Sequence, residues 1–216
     1  MGRGEALIVV LDNSLYMQNQ DYLPSRLFLE REVCYSIKTN FLARPESYLG
    51  IAPMSQPVEN YFLTPTNKES YITNFLNKIS LSDNLQITKV LTRCRMCLRN
   101  REEAEKKMLI FLGSDIDSKV LDKTIFDLIS NITECIQEGI KVSIVLFGEK
   151  RHVLRDLFTV EYFGEVAVVD NDESFLTESL NVLGMSVFNY EDDPDLALAI
   201  KLSMEEEEER KRKELK

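Results

Sequence analysis

The sequence predicts an α/β fold: a doubly wound, mostly parallel sheet with helices on both faces. Two observations carry that expectation. Ala6–Leu11, Lys107–Leu112 and Lys141–Phe147 are near-continuous apolar runs, the pattern of strands buried on both faces. Amphipathic helical stretches separate them, and strands alternating with helices imply right-handed crossovers between parallel neighbours.

The elements follow in order. Ala6–Leu11 is the first strand, ended by Asp12-Asn13-Ser14. Ser25–Arg44 reads as a helix with Leu27, Cys34, Ile37 and Phe41 on one side. Tyr48–Met54 and Val58–Leu63 read as adjacent strands about a Gln56-Pro57 turn. Asn67–Ile79 and Thr88–Arg99 are helical. The strand Lys107–Leu112 is closed by Gly113-Ser114-Asp115, and the helix Val120–Gln137 stops at Gly139. Lys141–Phe147 and Glu165–Val169 are strands, and Ser174–Leu183 is the last helix of the body. The expected organisation is a body over 1–185, a linker over 186–192 and a separate helix over 193–213.

Composition bounds the function. The hydrophobic fraction of 44% supports a sizeable core, and the net charge of −10 disfavours a phosphate backbone as ligand. No nucleic-acid or membrane partner is expected. The Ala6–Leu11 run is too short for a signal peptide, and no apolar run is long enough to span a bilayer. The four cysteines (Cys34, Cys94, Cys97 and Cys135) fall in helical segments and are expected to be reduced, which suits the cytoplasm or nucleus. Cys94 and Cys97 have no second pair, so core packing is their expected role. The sequence contains one histidine, His152, no nucleophile elbow and no glycine-rich phosphate loop. Neither an enzyme activity nor a cofactor is expected.

In a doubly wound sheet, ligands sit at the carboxyl ends of the strands. Asp12–Tyr16 and Gly113–Asp117 are therefore the candidate site of the body. Asp12-x-Ser14-x-Tyr16 is similar to the metal-site loop of von Willebrand A-type domains, where carboxylate and hydroxyl oxygens hold a hard cation. Tyr16 departs from that pattern, because its hydroxyl sits on a rigid ring, out of reach of a shared ion. Asp115, Asp117, Thr88 and Thr92 are the remaining oxygen donors within view. The expectation is a retained fold with a lapsed metal loop.

The end of the chain carries the sharper signal. Asp193 and Pro194 form a helix start, with Asp195 in the first turn where a negative charge suits the helix dipole. Leu196, Ala199, Ile200 and Ser203 then share one face, two of them small enough for close approach by another surface. Acidic residues flank the face on both sides. Glu206–Arg210, Glu207–Lys211, Glu208–Arg212 and Glu209–Lys213 form i,i+4 pairs that would prolong the helix.

This tail resembles the ubiquitin-interacting motif. With Leu109–Ser114 and Val142–Glu149 in the same order, the chain resembles the ubiquitin-receptor subunits of the proteasome regulatory particle. The resemblance implies an A-type body that docks on other regulatory-particle subunits. It also implies a tail that binds ubiquitin and polyubiquitin chains through Asp192, Asp193, Leu196, Ala199, Ile200, Ser203 and Glu206. A single such motif is expected. Two other readings stay open: a metal-dependent A-type interaction module using Asp12, Ser14 and Asp115, and an α/β enzyme with an unrelated acidic tail.

Overall fold

Ala6–Leu11 lie at the centre of the sheet, and all six are fully buried because helices cover both faces. The computed structural model describes residues 4–56, 61–114, 118–158 and 165–185. Their elements run β1 (Glu5–Leu11), α1 (Arg26–Leu42), β2 (Ser47–Pro53), β3 (Leu63–Thr66), α2 (Glu69–Lys78) and α3 (Ile87–Arg99). They continue with β4 (Glu105–Leu112), α4 (Ser118–Gln137), β5 (Ile140–Leu146), α5 (Arg151–Leu157), β6 (Val166–Val168) and α6 (Asp172–Asn181).

The six strands follow the order β3-β2-β1-β4-β5-β6, all parallel except the edge strand β3. The register is continuous through the centre, with Ile8 opposite Gly50 on one side and Met108 on the other. The chain winds outward from β1 through β2 and β3, then returns to start β4 on β1's other side. The strand order reverses at β1 and β4, and the carboxyl ends of such strands are where doubly wound sheets place their ligand sites.

Alternation along each strand feeds two cores. Ala6, Ile8, Val10, Met108, Ile110 and Ile144 pack with Val90, Leu91, Cys94 and Leu98 of α3 and Leu128, Ile132 and Cys135 of α4. On the opposite face, Phe111 and Phe147 meet Phe175 of α6 and Tyr22, with ring centroids 5.1–6.4 Å apart. The Ser25 hydroxyl caps α1 by accepting from Phe28 N, and the Asn171 side chain caps α6 by accepting from Ser174 N at 2.9 Å. Gly139 ends α4 at φ +75°, a conformation that favours glycine.

Two expectations are corrected. The edge strand is Leu63–Thr66 rather than Val58–Leu63, of which 58–60 lie outside the described residues. Leu63 and Thr66 pair with Ile51 and Leu49 across an irregular register, while the apolar Phe62 packs against the α3 side of the core. A short helix, α5, also stands between Lys141–Phe147 and Glu165–Val169, where no element was expected, and its Leu154 is buried.

Candidate functional site

β1 ends at Leu11, and the chain turns at once on an Asp12 side chain that is fully buried. Asp12 Oδ1 accepts from Ser14 N at 3.0 Å, the turn typical of Asx residues. Its Oδ2 accepts from Gly113 N at 3.1 Å and from the Ser114 hydroxyl at 2.5 Å. The Ser14 and Ser114 hydroxyls are themselves 2.9 Å apart. One carboxylate thus ties the end of β1 to the end of β4. Asn13, also fully buried, extends the tie: its amide donates to Ser80 O and its Oδ1 accepts from Ser55 N, both at 2.8 Å.

A cation completes the cluster from within the chain. Arg26, at the start of α1, is only 2% exposed and donates from Nη1 to Gly113 O at 2.7 Å. Its Nε and Nη2 hold Asp21 in a two-point pair at 2.8 and 2.5 Å, and this pairing lowers the Asp21 carboxyl pKa. One turn further along α1, Glu30 is fully buried, and neither carboxyl oxygen has a hydrogen-bond partner among the described residues. Burial, reinforced by the negative charge of Asp12, pushes Glu30 well above the ordinary glutamate value of 4.5.

Within the described residues the oxygens of the cluster serve one another: both Asp12 oxygens accept from N–H or O–H donors, and the Ser14 and Ser114 hydroxyls are in hydrogen-bond contact, which engages groups that a hard cation would use. Tyr16 sits in the 3-10 turn Leu15–Gln18 and is 45% exposed, whereas Asp12 is fully buried. The Thr92 hydroxyl is engaged by Thr88 O and Asn131 on the α3–α4 side. Asp115 and Asp117 lie outside the described residues, among which no group of three or more His, Cys, Asp or Glu side chains could hold a metal. Cys34, Cys94 and Cys135 are free buried thiols whose pKa burial raises, Cys135 to about 12, so they stay protonated.

Arg26 and Glu30 escaped the sequence reading. The signal was present: positions 26, 30, 33, 34, 37 and 41 form one buried stripe on α1. A charged residue in such a stripe marks a polar site inside the core.

Glu30 carries a prediction with a definite sign. The folded state keeps the proton that an unfolded glutamate releases above about 4.5. Its stabilising contribution is therefore present in acid and declines as pH rises from 4.5 toward the folded pKa. Glu30→Gln should be more stable than wild type at pH 7.5, with little gain at pH 4.5. Thermal melts at the two pH values decide it; an equal gain at both would show that Glu30 does not titrate this way.

The tail residues Asp192, Asp193, Leu196, Ala199, Ile200, Ser203 and Glu206 lie outside the described residues.

Known proteins share this architecture. Residues 7–117 match the von Willebrand factor type A domain family. The chain is 29% identical to "26S proteasome non-ATPase regulatory subunit 4" of Dictyostelium discoideum, over 80% of its own length and 48% of that protein's. It is 26% identical to the Drosophila melanogaster protein of the same name, over 67% of this chain and 36% of that one. The chain thus spans about half, or less, of the length of these two relatives. Among solved structures, the SpRpn10 VWA domain superposes with a TM-score of 0.65 at 18% identity, covering 82% of this chain and 94% of that one. The sheet order, the site at the strand-order reversal and the match over residues 7–117 make this chain a member of the von Willebrand factor type A domain family.

Proposed function

We propose that the chain is a non-enzymatic subunit of the proteasome regulatory particle, docking through its A-type body and capturing ubiquitinated substrates through its tail. The string Asp193–Glu206 is the observation that carries this reading, with its large and small residues at fixed helical spacing between acidic clusters. The relatives' printed name, a non-ATPase regulatory subunit of the 26S proteasome, supports the docking half. On this reading residues 193–213 form the ubiquitin-binding helix, joined to the body by 186–192. Leu196 and Ile200 enter ubiquitin's hydrophobic patch, Ala199 allows close backbone approach, and Ser203 supplies a hydrogen bond. Asp192, Asp193 and Glu206 face the basic residues around that patch. The chain then works in the cytoplasm and nucleus and takes no cofactor.

A single short helix buries less than a standard interface, so one ubiquitin should bind weakly, with Kd on the order of 10–1000 μM. Polyubiquitin would gain through tethering. The test is titration of isotope-labelled ubiquitin with the full chain, followed by NMR. Shifts confined to the hydrophobic patch are expected, with loss of binding in both Ala199→Arg and Ser203→Arg. An unshifted spectrum at millimolar chain would refute the capture half of the proposal.

A further inference from the structure

The net charge of −10 is unevenly distributed. Between Arg26 and Arg101 there are eleven basic and six acidic residues; between Glu102 and Tyr190 there are eight basic and seventeen acidic. Arg95 and Arg99, toward α4, pair with Glu134 and Glu138 there. Arg93 and Arg101 have no carboxylate partner among the described residues.

These two guanidinium groups are held in place by other means. Arg93 lies over the Phe62 ring, 5.6 Å from its centroid. Arg101 lies over the Tyr48 ring at 4.6 Å and donates to Pro65 O at 2.6 Å. Cys97 fixes their common side: burial raises its thiol pKa, and the nearby charges of both Arg93 and Arg101 lower it. Lys89 is exposed one turn before Arg93 on α3, and Met96 (52%) and Tyr61 (39%) expose apolar surface. Guanidinium groups ordered on aromatic rings lose little freedom on binding and still present unused donors.

We propose that this α3–β3 face docks an acidic segment of a partner protein, whose carboxylates pair with Arg93 and Arg101 and whose apolar side chains cover Met96 and Tyr61. Guanidinium forks donate to carboxylate and phosphate oxygens alike. Two features favour a protein over a nucleic acid: the apolar side chains interleaved with the cations, and the acidic remainder of the body, which repels a long phosphate backbone. The inference is independent of the tail and of ubiquitin.

The test is fluorescence anisotropy of the full chain with a labelled peptide of repeated Glu-Glu-Leu, at low and physiological salt. Saturable, salt-weakened binding is expected. Lys89→Glu with Arg93→Glu should weaken it about tenfold or more, Arg93→Gln should weaken it less, and Lys141→Glu on the acidic half should leave it nearly unchanged. Matching circular dichroism melts would separate loss of docking from loss of fold. The proposal is overturned by absence of binding at low salt, by equal loss in Lys141→Glu, or by tighter binding of poly(U) RNA through Arg93.

Discussion

Asp12→Ala is expected to destabilise the body by about 3–5 kcal/mol, with or without divalent cations present. The size of the loss follows from what the carboxylate holds. Ser14 N, Gly113 N and the Ser114 hydroxyl all donate to it, and its surroundings are closed to solvent. A hydrogen bond to a charged group contributes about 1.5–3 kcal/mol, and a buried donor left without a partner costs the full desolvation of that group. The contributions are not additive, because the Ser114 hydroxyl is already 2.9 Å from that of Ser14 and can turn toward it. Arg26 would also lose the negative charge beside it. For a body of this size the loss corresponds to a fall in Tm of roughly 10 °C. Asp12→Asn should fall between the two: one oxygen can still accept from Ser14 N, but the amide presents a donor to the Gly113 N–H. Melting wild type and both variants with EDTA, Mg²⁺ and Mn²⁺ separates the two meanings of this aspartate. A structural tie gives the same loss in all three conditions, whereas a wild-type Tm that rises with either cation would restore Asp12 to the role of metal ligand.

The parts of the fold that were legible from sequence were those with one physical signature. β1, β4 and β5 are interior parallel strands, and burial on both faces leaves long apolar runs that nothing else in the chain imitates. β3 was misplaced because an edge strand of four residues around Pro65 has no such run, and because the apolar Phe62 beside it packs into the helical side of the core. α5 was missed because its seven residues carry three charges and His152, and among its described side chains Leu154 alone is buried. At the candidate site, Asp12, Ser14 and the departure at Tyr16 were visible from spacing within one loop. Arg26 and Glu30 were not, since a charged side chain on a helix ordinarily faces water and only the tertiary fold turns both inward. The proposed tail motif is the opposite case: the pattern that carries the proposal is written in local spacing alone, from Asp192 to Glu206.

Gly113→Ala should destabilise the body by about 3 kcal/mol or more, and Phe147→Leu should recover part of that loss. A Cβ on Gly113 would stand 2.1 Å from Phe147 Cε2 and 2.4 Å from Cζ, far inside contact distance. The usual escape, a shift of the backbone, is blocked on both sides: Gly113 N is bonded to Asp12 and Gly113 O to Arg26. The ring cannot retreat either, because Phe147 is 1% exposed and wedged edge-on against Phe175, with Tyr22 and Phe111 beside it. Overpacking of this kind costs about 1–3 kcal/mol where neighbours can yield, and more where they cannot. Leucine lacks the Cε and Cζ atoms that make the closest contacts, so Phe147→Leu opens room for the new methyl while leaving a small void when made alone. The single change should cost about 1–2 kcal/mol. In the double variant the void and the methyl coincide, and the loss should be smaller than the sum of the singles by about 1 kcal/mol or more. Denaturant melts of the four proteins measure that coupling directly. Strictly additive losses would mean that Gly113 is required for some reason other than the ring pressed against it.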